Sequence, residues 1–200
     1  MSMDLISRTA SVDKTVSLGK EVRIWHYTQI RETVIIGDNV IIGGSVYIGP
    51  GVRIGKNSKI QNKAMIYQPA NIGEGVFIGP GVIFTNDLNP RAVNPDGLQK
   101  SSSDWEQVGV SVLEGASIGA GAVCIAPIEI GKWALIGAGS VVTKNVPDYG
   151  LVVGNPARQI GWVGKSGQKL QKIDELTFQC VATNTKYKLE GKLLLEIVNK

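Results

Sequence analysis

The chain reads as an all-β protein wound into a parallel β-helix of six-residue rungs, and three observations predict it. First, a branched aliphatic or Phe residue recurs at every sixth position from Ile6 to Phe84 without a gap. The series is Ile6, Val12, Leu18, Ile24, Ile30, Ile36, Ile42, Ile48, Ile54, Ile60, Ile66, Ile72, Ile78 and Phe84. Second, four residues after each comes a mostly small apolar residue, including Val22, Val34, Val40, Val46, Val52, Ala64, Ala70, Val76 and Val82. Third, Gly often follows the first apolar residue, as at Gly37, Gly49, Gly55, Gly73 and Gly79. Neither an α-helix nor an open sheet has a period of six, whereas a coil of short strands does. Three such strands close a triangle of eighteen residues, so residues i and i+18 stack one strand spacing apart, ~4.8 Å.

The elements follow in chain order. From Ile6 to Phe84 the large aliphatic residue points into the triangle and the small one fills the remaining volume. β-Branched side chains suit such a buried parallel stack. Gly and Asn are expected at the tight corners because they tolerate positive φ. After Phe84 the pattern stops and re-enters at Val112, Ile118, Cys124, Ile130, Ile136 and Val142, with Ala116, Ala122, Ile128, Ala134, Ser140 and Val146 four residues on. The separation of Phe84 and Val112 is not a multiple of six, so residues of about 87–107 leave the coil as a loop. A long polar loop in so regular a scaffold is usually functional; the alternative is an insertion that a repeat array tolerates. Gly154 falls at a hexad position and Pro156 follows it, so Gly154, Asn155 and Pro156 end the coil. Residues 164–200 lack hexads. Alternation in Thr177-Phe178-Gln179-Cys180-Val181 and the stretch Lys192-Leu193-Leu194-Leu195-Glu196-Ile197-Val198 predict a small β appendage capping the solenoid end. The predicted organisation is a β-helix over 1–163 and an appendage over 164–200.

Composition agrees. Of 200 residues, 25 are Gly, and 43% are hydrophobic but only 6% aromatic, as a narrow triangular core requires. A formal charge of +4 suits anionic ligands, and no basic block suggests nucleic acid. Met1-Ser2-Met3-Asp4-Leu5 has no basic region before an apolar run, so no signal peptide is expected. No apolar stretch reaches ~18 residues, so no membrane span is expected. Cys124 reads as core, no disulfide framework is suggested, and the expected location is cytoplasmic. Cys180 alone cannot build a zinc ribbon, and no metal is expected.

Counting by eighteen defines neighbourhoods. Glu32, Pro50, Gln68 and Asn86 form one column, with Arg31, Gly49, Tyr67 and Thr85 beside it. His26, Gly44, Asn62 and Pro80 stack on another face. Gly119 stacks on Gly137, Ala120 on Ala138 and Gly121 on Gly139. This last set is either a shallow stripe against which an extended ligand arm lies, or corner geometry alone.

These residues carry a resemblance. The hexads, Ile24-Trp25-His26-Tyr27, Lys59-Ile60-Gln61-Asn62, Val76-Phe77-Ile78-Gly79-Pro80, Phe84-Thr85-Asn86-Asp87 with Asn89-Pro90-Arg91, and Val153-Gly154-Asn155-Pro156-Ala157-Arg158 resemble the hexapeptide-repeat sugar N-acyltransferases. Among these, the chain is most similar to bacterial enzymes acetylating the 3-amino group of a nucleotide-linked amino sugar, typically a UDP-linked 3-amino glucuronate, for surface glycan (lipopolysaccharide) biosynthesis. The resemblance spans about residues 6–163 and implies a left-handed parallel β-helix, although the usual crossover rule favours the other hand. It implies a homotrimer with active sites between subunits and acetyl-CoA along the coils. Carried over, Gly119, Ala120, Gly137 and Ala138 would meet the pantetheine, Asn155 and Pro156 its nucleotide end, and Lys144 and Arg158 the phosphates of coenzyme A. Capping the last coil is an equally good reading of Arg158. The family pattern Gly-Gln-Asn is replaced here by Gly43-Gly44-Ser45, and the loop is longer than in such enzymes.

The chemistry fits an amine acceptor. A hydroxyl needs a general base, usually His, and His26 is the sole His. A neutral amine is itself a nucleophile and needs holding, orientation and a polarised thioester carbonyl. Asn86 matches the family residue beside the reacting amine. Asp87 opens the loop, and Arg91 suits a sugar carboxylate or diphosphate, with a loop-ordering salt bridge as its alternative. Tyr67, Gln68 and Asn62 are substrate-binding candidates by adjacency; His26 is either a site residue or a satisfied structural histidine. A γ-class carbonic anhydrase on this scaffold needs three His ligands and is excluded. An O-acetyltransferase of a small hydroxylated acceptor, or a non-catalytic β-helix binding subunit, remains the alternative.

Overall fold

The computed structural model describes residues 5–197; residues 1–4 of the leader reading lie outside the described residues. The regular structure among these residues is all strand, and the strands of the coil lie on three faces. Face one stacks Arg23–Ile24, Ile41–Ile42, Lys59–Ile60, Phe77–Ile78, Ser117–Ile118, Leu135–Ile136 and Gly150–Gly154. Face two stacks Ser11–Val12, Gln29–Ile30, Tyr47–Ile48, Met65–Ile66, Ile83–Phe84, Val123–Cys124 and Val141–Val142. Face three stacks Ser17–Leu18, Ile35–Ile36, Arg53–Ile54, Asn71–Ile72, Val110–Val112 and Ile128–Ile130. Pairing within these stacks is parallel and in the expected register, Ile30 on Ile48 and Ile48 on Ile66. The first corner joins face one to face two, the second joins two to three, and the third joins three to one.

The inward series is buried from Ile24 onward, together with the small set four residues on. Thr28 and Ser58 take the small position and bury hydroxyls, yet each donates across a corner, Thr28 Oγ1 to Gly43 O at 2.6 Å and Ser58 Oγ to Gly73 O at 2.9 Å. No polar cost is left unpaid at either. Cys124 is core as expected, and burial pushes its thiol up to about 12.

The glycine expectation is corrected in part. Positive φ falls three residues after most inward residues, with Pro69 and Pro127 among the exceptions, and Glu21, Tyr27, Thr33, Asn39, Ser45, Asn57, Lys63 and Trp133 adopt it as well as Gly51, Gly75 and Gly121. The Gly directly after the inward residue serves space instead. A Cβ on Gly55 would lie 2.6 Å from Glu74 N, and one on Gly37 would lie 2.6 Å from Lys56 N. The neighbouring rung's backbone occupies that volume.

The loop leaves the second corner as expected. Ser111 sits on Asn71 where an uninterrupted coil would place residue 89, and the bridges Asp87 to Gln107 and Val93 to Gln99 fold the insertion back on itself. A second correction concerns the coil end. Val146 bridges Ile130 and Val152 pairs with Ile136, so the corner at Lys144 and Asn145 is two residues shorter than a standard rung. Val146 and Val152 therefore take inward places, and Gly154 does not. Gly154–Ala157 instead turns the chain into the antiparallel strand Ala157–Trp162. The appendage is a four-stranded sheet of Gln171–Lys172, Thr177–Gln179, Lys186–Glu190 and Leu193–Glu196. Its core of Leu170, Cys180, Tyr187 and Leu194 packs on Tyr149 and Trp162 of the coil end. Val198 lies outside the described residues. No helix among the described residues is long and apolar enough to cross a membrane.

Gly55→Ala should lower stability by about 1–3 kcal/mol, since an added methyl in a filled volume displaces backbone. A thermal or denaturant unfolding midpoint unchanged from wild type would contradict this packing.

Candidate functional site

Candidate residues divide between two corners, and both corners border face two. On the first corner lie, rung by rung, His26, Gly44, Asn62, Pro80, Ala120 and Ala138, joined by Ser45 N–H to His26 O and Lys63 N–H to Gly44 O. A cavity of about 360 Å³ here is lined by Trp25, His26, Gly43, Gly44, Gln61 and Asn62. His26 Nδ1 lies 2.8 Å from Ser7 Oγ and 3.0 Å from Thr9 Oγ1, so one ring nitrogen has structural partners. Asn62 Oδ1 accepts the Gly44 N–H at 2.8 Å, a corner bond that accounts for this residue type.

Lower on the same corner the stripe Gly119, Ala120, Gly137 and Ala138 is in place. Cβ atoms on Gly119 would meet Ala138 N at 2.5 Å, whereas those on Gly121 and Gly139 would enter open space. The stripe is thus both corner geometry and a shallow trough. Asn155 and Pro156 form the exposed turn at its lower end, and Arg158 donates to Ala157 O at 2.9 Å. Lys144 is not brought to this stripe; it is exposed on the second corner, in the shortened turn.

The second corner holds Tyr67, Gln68, Thr85 and Asn86. Thr85 Oγ1 accepts the Ala126 N–H at 3.0 Å, and Asn86 O accepts the Val108 N–H, pinning both ends of the loop. Asp87 Oδ1 accepts the Asn89 N–H at 2.8 Å, a turn that starts the loop. Arg91 is exposed and donates to Pro90 O; no carboxylate among the described residues pairs with it. Sequence reasoning placed Arg31 in the column of Tyr67 but missed Tyr47. Tyr47, outward on face two, packs its ring 5.2 Å from that of Tyr67. Arg31 pairs with Glu32 at 2.8 Å and holds its carboxyl below the usual range. The column of Arg31 with Tyr67 was countable; the outward turn of Tyr47 one strand earlier was the signal for the rest.

Family models match this geometry. The bacterial transferase hexapeptide model (six repeats) matches residues 15–50 and 51–86, and the hexapeptide repeat of succinyl-transferase matches 33–68 and 108–144. The chain belongs to the hexapeptide-repeat family. A dTDP-3-amino-3,6-dideoxy-α-D-galactopyranose 3-N-acetyltransferase of Aneurinibacillus thermoaerophilus is 43% identical over 88 residues, 44% of each chain, so the match spans less than half of that relative. Two solved structures share the fold. A mutant of AntD, an N-acyltransferase from Bacillus cereus in complex with dTDP and coenzyme A, superposes with a TM-score of 0.51 at 23% identity, covering 80% of this chain and 82% of the other. LpxA from Acinetobacter baumannii gives 0.50 at 22%, covering 80% and 74%.

In this hexapeptide-repeat chain the surface between the two corners is apolar from its third rung onward, after Ser11 and Gln29. Tyr47, Met65, Ile83, Val123 and Val141 point outward from face two, whereas Arg53, Asn71, Ser111 and Glu129 occupy the same column of face three. No group of three or more His, Cys, Asp or Glu among the described residues could hold a metal ion.

Asn62→Ala should lower stability by about 0.5–1.5 kcal/mol, the worth of one corner hydrogen bond. Unfolding in urea measures it, and an unchanged midpoint would mean that the bond contributes nothing.

Proposed function

We propose that this protein is an acetyl-CoA-dependent N-acetyltransferase acting on the amino group, at C3, of a nucleotide-linked amino sugar. The observation that carries the reading is the likeness to the Aneurinibacillus thermoaerophilus 3-N-acetyltransferase. It favours a dTDP-linked 6-deoxyhexose over a UDP-linked uronate, and Arg91 then serves a diphosphate. A nucleotide-linked sugar acceptor and acetyl-CoA would both be met in the cytoplasm, the location we infer.

The geometry supports this reading. Coenzyme A is long and anionic at one end. The trough of Gly119, Ala120, Gly137 and Ala138 offers exposed backbone to its arm, with Asn155, Pro156 and Arg158 below. Asn86 and the loop lie across face two from that trough, so one copy of the chain does not bring acceptor and thioester together. Copies related by rotation about an axis parallel to the coil set the first corner of one against the second corner of the next. The apolar column of face two supplies surface for such packing. A homotrimer with sites between subunits is the assembly we infer, and Lys144 then reaches coenzyme A from the neighbouring copy.

Within the site, Asn86 holds the acceptor amine through its amide oxygen while the amine lone pair attacks the thioester carbonyl. Backbone N–H groups of the facing coil stabilise the oxyanion. Collapse breaks the C–S bond, and the ammonium proton leaves with the thiolate. No strong base is needed. A hydroxyl acceptor would need one.

A thioester-consumption screen against nucleotide-linked amino sugars differing in base and C5 substituent tests the reading; acetylation of the 3-amino group, identified by mass, is the expected product. Consumption only with hydroxyl acceptors would overturn it. Asn86→Ala should cut turnover by on the order of 100-fold, as misplacement of a reacting group does, with coenzyme A affinity nearly intact. Ile83→Lys should reduce the solution mass from three copies to one, and light scattering showing an intact trimer would exclude face two as the contact.

A further inference from the structure

A recurring corner bond shows one place where the bond is missing. At three corners, the residue two after an inward position turns a side-chain oxygen back over the Gly of the rung before. There it accepts the N–H of the residue after that Gly. Asp38 Oδ1 accepts from Lys20 at 2.7 Å, Asn62 Oδ1 from Gly44 at 2.8 Å, and Asp148 Oδ1 from Lys132 at 2.7 Å. The oxygens lie close to where Cβ atoms of Gly19, Gly43 and Gly131 would stand. Gln68 Oε1 takes the same place over Gly49. The residue after Gly49 is Pro50, which has no N–H. Gln68 Oε1 is accordingly buried without a partner, alone in this among side-chain N and O atoms of the described residues.

A buried acceptor left unpaired is destabilising and needs an explanation. This one sits at the mouth of the loop, one rung from Asn86, beside the ring pair of Tyr47 and Tyr67. Gln is also longer than the Asn and Asp that fill the other corners, so its amide can swing outward. We infer that Gln68 is a specificity-determining residue whose amide oxygen leaves the donorless notch to accept a hydrogen bond from the acceptor's amino group. Gln68 and Asn86 stand on rungs one strand spacing apart, ~4.8 Å, and each then offers the amine one amide oxygen. A neutral primary amine has two N–H donors and keeps its lone pair free for attack. A hydroxyl has one donor and leaves one oxygen unpaired, which is how a polar site rejects a near-isostere. Pro50 keeps Gln68 available by denying it the bond that holds its counterparts. The inference rests on the N-acetyltransferase reading and names how that site tells amine from hydroxyl.

Two variants test it. Pro50→Ala supplies the N–H found at Lys20, Gly44 and Lys132 and should anchor Gln68, raising the acceptor KM about tenfold with the KM for acetyl-CoA unchanged. Gln68→Leu should raise the acceptor KM similarly, narrow the preference for the 3-amino sugar over its 3-hydroxy analogue, and leave the thermal midpoint no lower, because an orphaned polar atom is removed. On a Gln68→Leu background, Pro50→Ala should add nothing. An accepted amino sugar whose KM and preference are the same in Gln68→Leu as in wild type overturns this inference alone, whether or not Pro50→Ala folds. Wild-type protein that neither acetylates an amino sugar nor binds one by calorimetry overturns both this inference and the functional reading.

Discussion

Each rung is tied to the next by N–H···O bonds from residue i to the carbonyl of residue i+17, as from Arg31 to Ile48 and from Gly37 to Ile54. That contact fixes the distance between successive coils, and most other features are consequences of it. The interior must repeat at the same interval, so Ile stacks on Ile. The first residue of a corner has the next rung's backbone beside its Cα, so Gly is favoured there. Side chains stand in place of Gly at Tyr67 and Thr85, and Thr85 Oγ1 there accepts the next rung's Ala126 N–H. The second corner has several such positions and is the corner at which the coil opens into its loop.

Much of this was legible because the period makes sequence distance equal spatial distance. Ile48, Ile66 and Phe84 could be stacked by counting, and the failure of Phe84 and Val112 to match the period announced the insertion. The shortened corner at Lys144 and Asn145 carried no such mark. Both Val142 and Val146 are apolar, so the hexad pattern read straight through a two-residue deletion and placed Gly154 inward in error. Backbone geometry was also misattributed. Gly after Ile suggested a torsional need, whereas the need is volume, which depends on a rung nineteen residues away. The orphaned oxygen of Gln68 could have been found by counting back eighteen to Pro50, had the corner bond at Asn62 and Gly44 been known.

The candidate site is distributed in the same periodic way. The trough of small residues and the cavity at His26 follow the first corner, and the loop with Asn86 and Gln68 follows the second. A single coil keeps them a face apart, and the face between them is the most apolar outward column of the three. Rigidity of the coil makes this separation fixed. Assembly of copies, as proposed above, would bring the two together.

The hairpin at Gly154–Ala157 has a consequence for behaviour in a crowded solution. A parallel stack ends in a rung whose amides and carbonyls match the first rung of any other copy, which invites head-to-tail fibre growth. Reversing the last strand of face one presents the opposite polarity to an incoming coil. The appendage, resting on Tyr149 and Trp162, sits beside that end. Face one therefore offers an incoming parallel rung no matching edge at this end.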